Sequence, residues 1–416
     1  MKKKFSRLAV YLSAIIAVAM LTISCSDSNE TEKPTDPTEF ELKGSLTGER
    51  TLLAGNTYTL VGGYQVKNGG KLIIQEGVTI NATRSTSKSD YILIEQGGKI
   101  DAQGTKSRPI VMTSTQQTPG AWGGIHICGR APINLTGGTG MSEIGDAPFG
   151  GTNEADNSGI LRYVRLEYTG FAINETKESN GLTMYGVGNG TTIEYVQTYK
   201  GADDGFEWFG GTVNAKYLVS TASEDDSFDW TDGWRGNGQF WVAIQDQKAP
   251  GSDGTANGDC LIEADNREDN YKNSPVSCPT LANLTLIGNN DTNKQTRGIR
   301  LRAGTYVKMY NVLVTGKPKS VTTATTETET SFTNGNSVIE YLFADKGFTY
   351  EQGTALGLDT KTGNGINKTI TFTGGYIGTV TGGKDMSSVN SFFTKAEYKG
   401  AVPADNDWTA GWTKKL

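Results

Sequence analysis

The residues with the most chemical potential are acidic, and they come as two near-copies. Asp203-Asp204-Gly205-Phe206-Glu207-Trp208 is followed 22 residues later by Asp225-Asp226-Ser227-Phe228-Asp229-Trp230. Tyr195 and Tyr217 keep the same offset. Carboxylates this close repel one another. A bound cation, a neighbouring Arg or Lys, or free access to water relieves the repulsion. Ca²⁺ takes clustered carboxylate oxygens, so Asp203, Asp204, Asp225 and Asp226 are candidate metal ligands. Glycoside hydrolysis also needs two carboxylates, about 5 to 9.5 Å apart. Asp232, Trp234 and Arg235 follow at once and join Glu207 and Asp229 in the candidate binding set. Trp234 and Trp241, where exposed, would stack on sugar rings. The bland alternatives stay open. Asp-Asp-Gly is a common turn, the acids can be a solvated face, and aromatic residues at this spacing are core material.

Elements must hold these acids in place. Phe206 and Trp208 alternate with Glu207, as side chains do on a strand. A strand unit that recurs about every 22 residues predicts one coil of a parallel β-helix. Stacked coils would set Phe228 on Phe206 and Trp230 on Trp208 inside. Asp229 would lie near Glu207, one strand spacing of about 4.8 Å away. Composition agrees: 54 of 416 residues are glycine, nearly twice the usual ~7%. Gly69-Gly70-Lys71-Leu72 recurs as Gly97-Gly98-Lys99-Ile100, and Asn283 recurs as Asn311, each 28 residues on. The two asparagines are predicted at equivalent turns, with side chains bonded along the helix axis. The fold class is all-β, a single-stranded right-handed parallel β-helix with terminal caps.

The chain divides into a signal segment over 1–24, an acidic flexible tether over 25–43, the β-helix over 44–387 and an aromatic cap over 388–416. Lys2, Lys3, Lys4 and Arg7 precede an apolar run from Leu8 to Ile23 that is short for a membrane span. Small residues before Cys25 resemble the lipobox of bacterial lipoproteins, in which the cysteine is acylated, though Ile23 and the lack of a Leu at the expected place depart from it. An ordinary secretory signal with an incidental cysteine is the other reading. The acylated cysteine would anchor the chain in outer-membrane lipid. Lys248–Pro279 reads as a polar excursion, and Cys260 with Cys278 is the candidate disulfide of an exported chain. The Thr/Glu run 322–330 reads as a loop, and 368–372 as part of the last coils. The tail, with Phe392, Phe393, Tyr398, Trp408 and Trp412, is read as a cover for the last open coil. Net charge is −6, and loss of the four basic residues of the signal takes it to −10. That argues against nucleic acid as a partner. The one histidine, His126, lies among apolar strand residues and reads as structural.

The ordered motifs Gly-Ala-Trp-Gly-Gly-Ile (120–125), Asn-Ser-Gly-Ile-Leu-Arg-Tyr-Val-Arg-Leu-Glu-Tyr (157–168), the two Asp-Asp runs and the final Asp-Trp-Thr-Ala-Gly-Trp (407–412) resemble a group of exported β-helix proteins of Bacteroidota and some Proteobacteria. The acidic run after Cys25 resembles the surface-export signal of Bacteroidota lipoproteins. More loosely, the solenoid resembles the pectin-lyase-like superfamily, many of whose members act on polysaccharides. The resemblance implies a right-handed parallel β-helix at the outer membrane or cell surface, and no particular reaction. A β-helix lyase uses carboxylate-bound Ca²⁺ and an Arg or Lys base, for which Arg235, Arg300 and Arg302 are available. The Gly-His-Gly of polygalacturonases has no counterpart. Three functions follow as expectations: non-catalytic binding of a glycan or neighbouring protein with Ca²⁺ as the candidate ion; cleavage of a polysaccharide at the acidic face; and service as an accessory subunit of an outer-membrane transporter.

Overall fold

The computed structural model describes residues 37–83, 89–172, 178–246, 258–290, 292 and 295–416. The signal segment, Cys25, most of the tether and residues 248–257 of the expected excursion lie outside the described residues. The chain separates into two units at Phe40/Glu41. Pro37–Phe40 is a 3-10 turn, and all that follows concerns Glu41–Leu416. Among the described residues no helix is long and apolar enough to cross a membrane.

Among the described residues twenty-three strands join one sheet, and every ladder in it is parallel, with strands pairing to the next coil rather than to their chain neighbours. The sheet winds through three faces. Face 1 carries Tyr91–Ile94, Ile125–Cys128, Leu182–Tyr185, Phe206–Phe209, Phe228–Thr231, Ile262–Ala264, Ile299–Leu301, Val321–Thr323 and Phe348–Tyr350. Faces 2 and 3 share long bent strands such as Thr192–Tyr199, Asn214–Thr221, Asn237–Ile244 and Thr280–Ile287.

The 22-residue repeat holds in register: Phe206 faces Phe228, Glu207 faces Asp229 and Trp208 faces Trp230. Lys71 faces Lys99. The interior is an aromatic stack, with Trp208 and Trp241 rings 5.1 Å apart and Phe206 and Phe228 5.5 Å apart. Each ring removes roughly 200 Å² from water, worth on the order of 5 kcal/mol before ordering costs.

The bend between faces 2 and 3 falls on one residue per coil. Tyr163, Tyr195, Tyr217, Phe240, Asn283, Asn311 and Tyr341 all have φ between 50 and 61°. Left-handed backbone costs a bulky residue about 1–2 kcal/mol. The Tyr and Phe rings offset this by stacking, at 4.3, 4.3 and 5.0 Å from Tyr163 through Tyr195 and Tyr217 to Phe240. Asn283 and Asn311 do occupy equivalent turns. No bond joins the two to each other: their amide N–H groups donate outward, to the backbone carbonyls of Tyr398 and of Lys384 and Ala396, while Asn283 Oδ1 accepts along the axis from Gln239 of the preceding coil at 3.0 Å.

Those outward bonds reveal where the tail goes. It meets the last coil at the corner, where Lys399 lies over the Tyr341 and Phe343 rings, and does not stop there. It runs back along the corner, with Trp408 and Trp412 covering the tyrosine stack and Gln197 exchanging two 2.7 Å hydrogen bonds with Lys414. The last coil is covered instead by the segment around Thr362–Gly365, which bonds to Tyr341, Leu342 and Ala344. The parallel ladders of full strands end at Tyr350, with one further parallel bridge from Phe343 to Gly365, and 368–372 is no coil strand; Gly378–Thr381 pairs antiparallel with Tyr398–Val402. Thr326–Thr333, expected as loop, is a helix whose Glu329 accepts from Thr323 and from the backbone of Gln352 and Thr354. The expected excursion also contains a coil strand, Ile262–Ala264.

Gly159 tests the packing between coils. It sits at φ +120°, and a Cβ there would fall 1.8 Å from the carbonyl oxygen of Ile100. Gly159→Ala is expected to lose about 2–5 kcal/mol in urea unfolding. Gly48→Ala, where a Cβ would meet nothing within 4 Å, is expected to stay within about 0.5 kcal/mol of wild type.

Candidate functional site on the acidic face

The outward positions of face 1 form one column: Thr183, Glu207, Asp229, Glu263, Arg300 and Thr322. The apolar side chains on either side of each acid point inward and fix it. Beside the column, the turns entering each strand add Asp203-Asp204 and Asp225-Asp226. Asp203 is 8% exposed, Asp204 6% and Asp226 5%. Asp204 accepts from the backbone N–H of Asp226 at 2.8 Å, and Asp226 from that of Cys260 at 2.5 Å. The pattern thus repeats one coil at a time.

The acids form a continuous set. Asp204, Glu207 and Asp229 each bring a carboxylate oxygen within 4.8 Å of the others, and so do Asp203, Asp204 and Asp225. Asp225, Asp226 and Asp259 form another such triad, and Asp226, Cys260 and Glu263 a fourth. The charge balance changes along the column. Glu263 is paired with Arg300 at 2.9 Å and Arg302 at 2.6 Å, and Asp265 with Arg302 at 2.8 Å. Asp232 is paired with Arg267 at 2.9 Å. Among the described residues, no Lys or Arg forms an ion pair with Asp203, Asp204, Glu207, Asp225, Asp226 or Asp229. Glu207 accepts from the Asn180 amide, while the buried Asp229 Oδ1 has no hydrogen-bond partner.

Burial and mutual repulsion push these carboxyls up. Desolvation is the largest cause for Asp203, followed by Glu178 and Asp225, and its pKa rises to about 8. Asp225, at the rim, rises to about 6 through desolvation and then Asp259 and Glu263. Asp204, Asp226, Glu207 and Asp229 lie well above the carboxylate range, again through burial first and neighbouring acids second. Such a set can hold protons or a hard cation. A cleft of about 430 Å³ opens beside it, lined by Glu207, Phe209, Asp229, Asp265, Arg267 and Arg302.

Three expected members fall elsewhere. Trp234 is fully buried, stacked 4.6 Å from Trp208 with its N–H on the Val213 carbonyl. Trp241 is buried too, so neither can meet a sugar. Arg235 sits at the entry to face 2, 3.2 Å from Glu154, and does not touch the acidic column. Cys260 and Cys278 are free thiols. Cys260 opens a face 1 strand and Cys278 precedes a face 2 strand, so the chain carries them to different sides of the coil. His126 is buried, bonded to the Gly123 carbonyl, and burial lowers its pKa to about 4. Sequence reasoning missed Glu263, Asp265, Asp259 and Arg267. The signal was present, because Ile262-Glu263-Ala264 repeats the apolar–acid–apolar alternation of Phe228-Asp229-Trp230.

Fold and face together define a parallel β-helix protein with carboxylates ranked along one sheet. The family model for the pectate-lyase like beta helix domain matches residues 44–413, and the chain belongs to that family. Neither the curated proteins nor the solved structures give a significant match.

Proposed function

We propose that this chain is a lipid-anchored surface protein whose acidic face holds a divalent cation, Ca²⁺ by its chemistry, and binds an acidic glycan through it. The observation that carries the reading is Asp229 Oδ1, buried and unpartnered between Asp204 and Glu207. The donor set is all oxygen at this point, which suits a hard cation. An ion there would neutralise the coils that lack arginine and would bridge to a carboxylate on the ligand. Anchoring at Cys25 and a place at the outer membrane belong to the same proposal and rest on the sequence.

Glycan hydrolysis at the same face is the second reading. It is favoured by the proximity of Asp203 and Asp225, whose carboxylate oxygens lie within 4.8 Å and whose pKa values burial and mutual repulsion both raise, so that one can hold a proton beside the other. A lyase reaction finds less support, because Arg300 and Arg302 are held in ion pairs.

Calorimetric titration of Ca²⁺ into EDTA-treated protein tests the first reading. Saturable binding that Asp229→Asn weakens about tenfold or more supports it; absence of heat refutes it. Incubation with polygalacturonate and neutral glycans, read by reducing ends and ultraviolet absorbance, tests the second. Cleavage abolished by Asp203→Asn or Asp225→Asn would put hydrolysis first.

A further inference from the structure

A second cleft, of about 570 Å³, lies on face 2, away from the acidic column. Its floor is the start of two neighbouring strands, Asn214–Thr221 and Asn237–Ile244. Asn237 donates to Asn214 Oδ1 twice, from its backbone N–H at 2.9 Å and its amide at 2.8 Å. One wall is the turn entering face 2, with Asn189 and the Arg235–Glu154 pair. The other wall is the tail at Asn390–Phe392. Lys216 fastens that wall by donating to the carbonyl of Phe392 at 2.5 Å and the hydroxyl of Thr394 at 3.2 Å.

The chemistry here is the opposite of that on face 1. Arg235 and Glu154 cancel, so the lining has no net charge and nothing in it selects an anion or a cation. What remains are amides and hydroxyls, which both donate and accept, as a sugar hydroxyl does. Among the described residues the Asn189 side chain and the Ser391 hydroxyl make no hydrogen bond within the protein. The asparagines repeat at the strand spacing of about 4.8 Å, which suits a chain ligand with hydroxyls recurring at a similar interval. Half-buried Phe392, its ring between the Lys216 ammonium at 4.5 Å and Phe393, is the apolar side chain of the lining. The volume is in the range of small-ligand sites, about 300–1,000 Å³.

We propose that this cleft binds an uncharged oligosaccharide, without a metal ion and independently of the acidic face. The tail is therefore part of a binding site as well as a support for the corner. The test is calorimetric titration of the full chain with maltotriose, cellotriose, mannotriose and chitotriose, each with and without EDTA. At least one is expected to bind. EDTA and Asp229→Asn are expected to leave that binding unchanged, and Phe392→Ala and Asn189→Ala to weaken it about tenfold or more. Asn189 is exposed, so its variant keeps the test valid if Phe392→Ala disturbs the tail. No heat with any of the four overturns the proposal. So does binding that survives Asn189→Ala, or that EDTA abolishes.

Discussion

Replacing Trp408 and Trp412 together by alanine is expected to lower the melting temperature by on the order of 10 °C. Both rings are buried, at 7% and 0% exposure, and both lie over the tyrosine corner. Trp408 is 5.1 Å from Tyr217, and Trp412 is 5.7 Å from Tyr163 and 6.1 Å from Tyr195. A buried Trp→Ala change costs about 3–5 kcal/mol. The two rings are neighbours at 6.4 Å, so their losses are expected to add incompletely. In a chain this long each kcal/mol moves the midpoint by about 1 °C. The double variant would also bare a stacked ladder of four rings, and dye binding to exposed apolar surface should rise. Differential scanning calorimetry and limited proteolysis between 384 and 407 check this. A shift under about 3 °C would mean that the tail rests on the corner without stabilising it. The polar lacing favours the larger effect: Gln197, Gln239, Asn283 and Asn311 all bond to tail backbone.

The same contacts show what could be read in the chain beforehand. Phe206 and Phe228 were legible because a two-residue alternation and a constant offset both speak of local geometry. The acids between those aromatics inherit their placement from that pattern. Ile262-Glu263-Ala264 was hidden because 34 residues separate Glu263 from Asp229. Extra residues in the turn break the period, and the strand kept its pattern without its spacing. Trp234 was ambiguous for another reason. Alternation stops in a turn, and only the neighbouring coil's Trp208 and Val213 decide that the ring goes inside. The tail's destination was a long-range fact. Its counterpart was nonetheless visible, since Tyr163, Tyr195 and Tyr217 recur at the bend and three outward rings on one corner need cover. The Cys260–Cys278 pairing rested on inventory, and inventory carries no geometry.

Stability is expected to fall as pH rises from 5 to 8 when no divalent cation is present, which reverses the trend set by ion-paired carboxylates. The sign follows from the direction of the shifts. Asp203 rises from 3.8 to about 8 and Asp225 from 3.8 to about 6, and Asp204, Asp226, Glu207 and Asp229 are also raised, by burial and then by neighbouring acids. Between the unfolded and folded values the native state holds more protons than the unfolded chain, so raising pH favours unfolding. Each pKa unit of displacement corresponds to about 1.4 kcal/mol, so the melting temperature at pH 8 should lie many degrees below that at pH 5. Millimolar Ca²⁺ should restore it, because a cation takes the deprotonated ligands that repulsion otherwise disfavours. Asp229→Asn removes one charge from the middle of the set. That variant should melt higher than wild type at pH 8 in EDTA and respond less to Ca²⁺. A wild-type melting temperature that climbs from pH 5 to 8 in EDTA would show that the six acids are solvated and separate. A downward slope that Ca²⁺ leaves untouched would mean that protons, not a metal, occupy the face, which is the condition general acid catalysis needs and cation bridging does not.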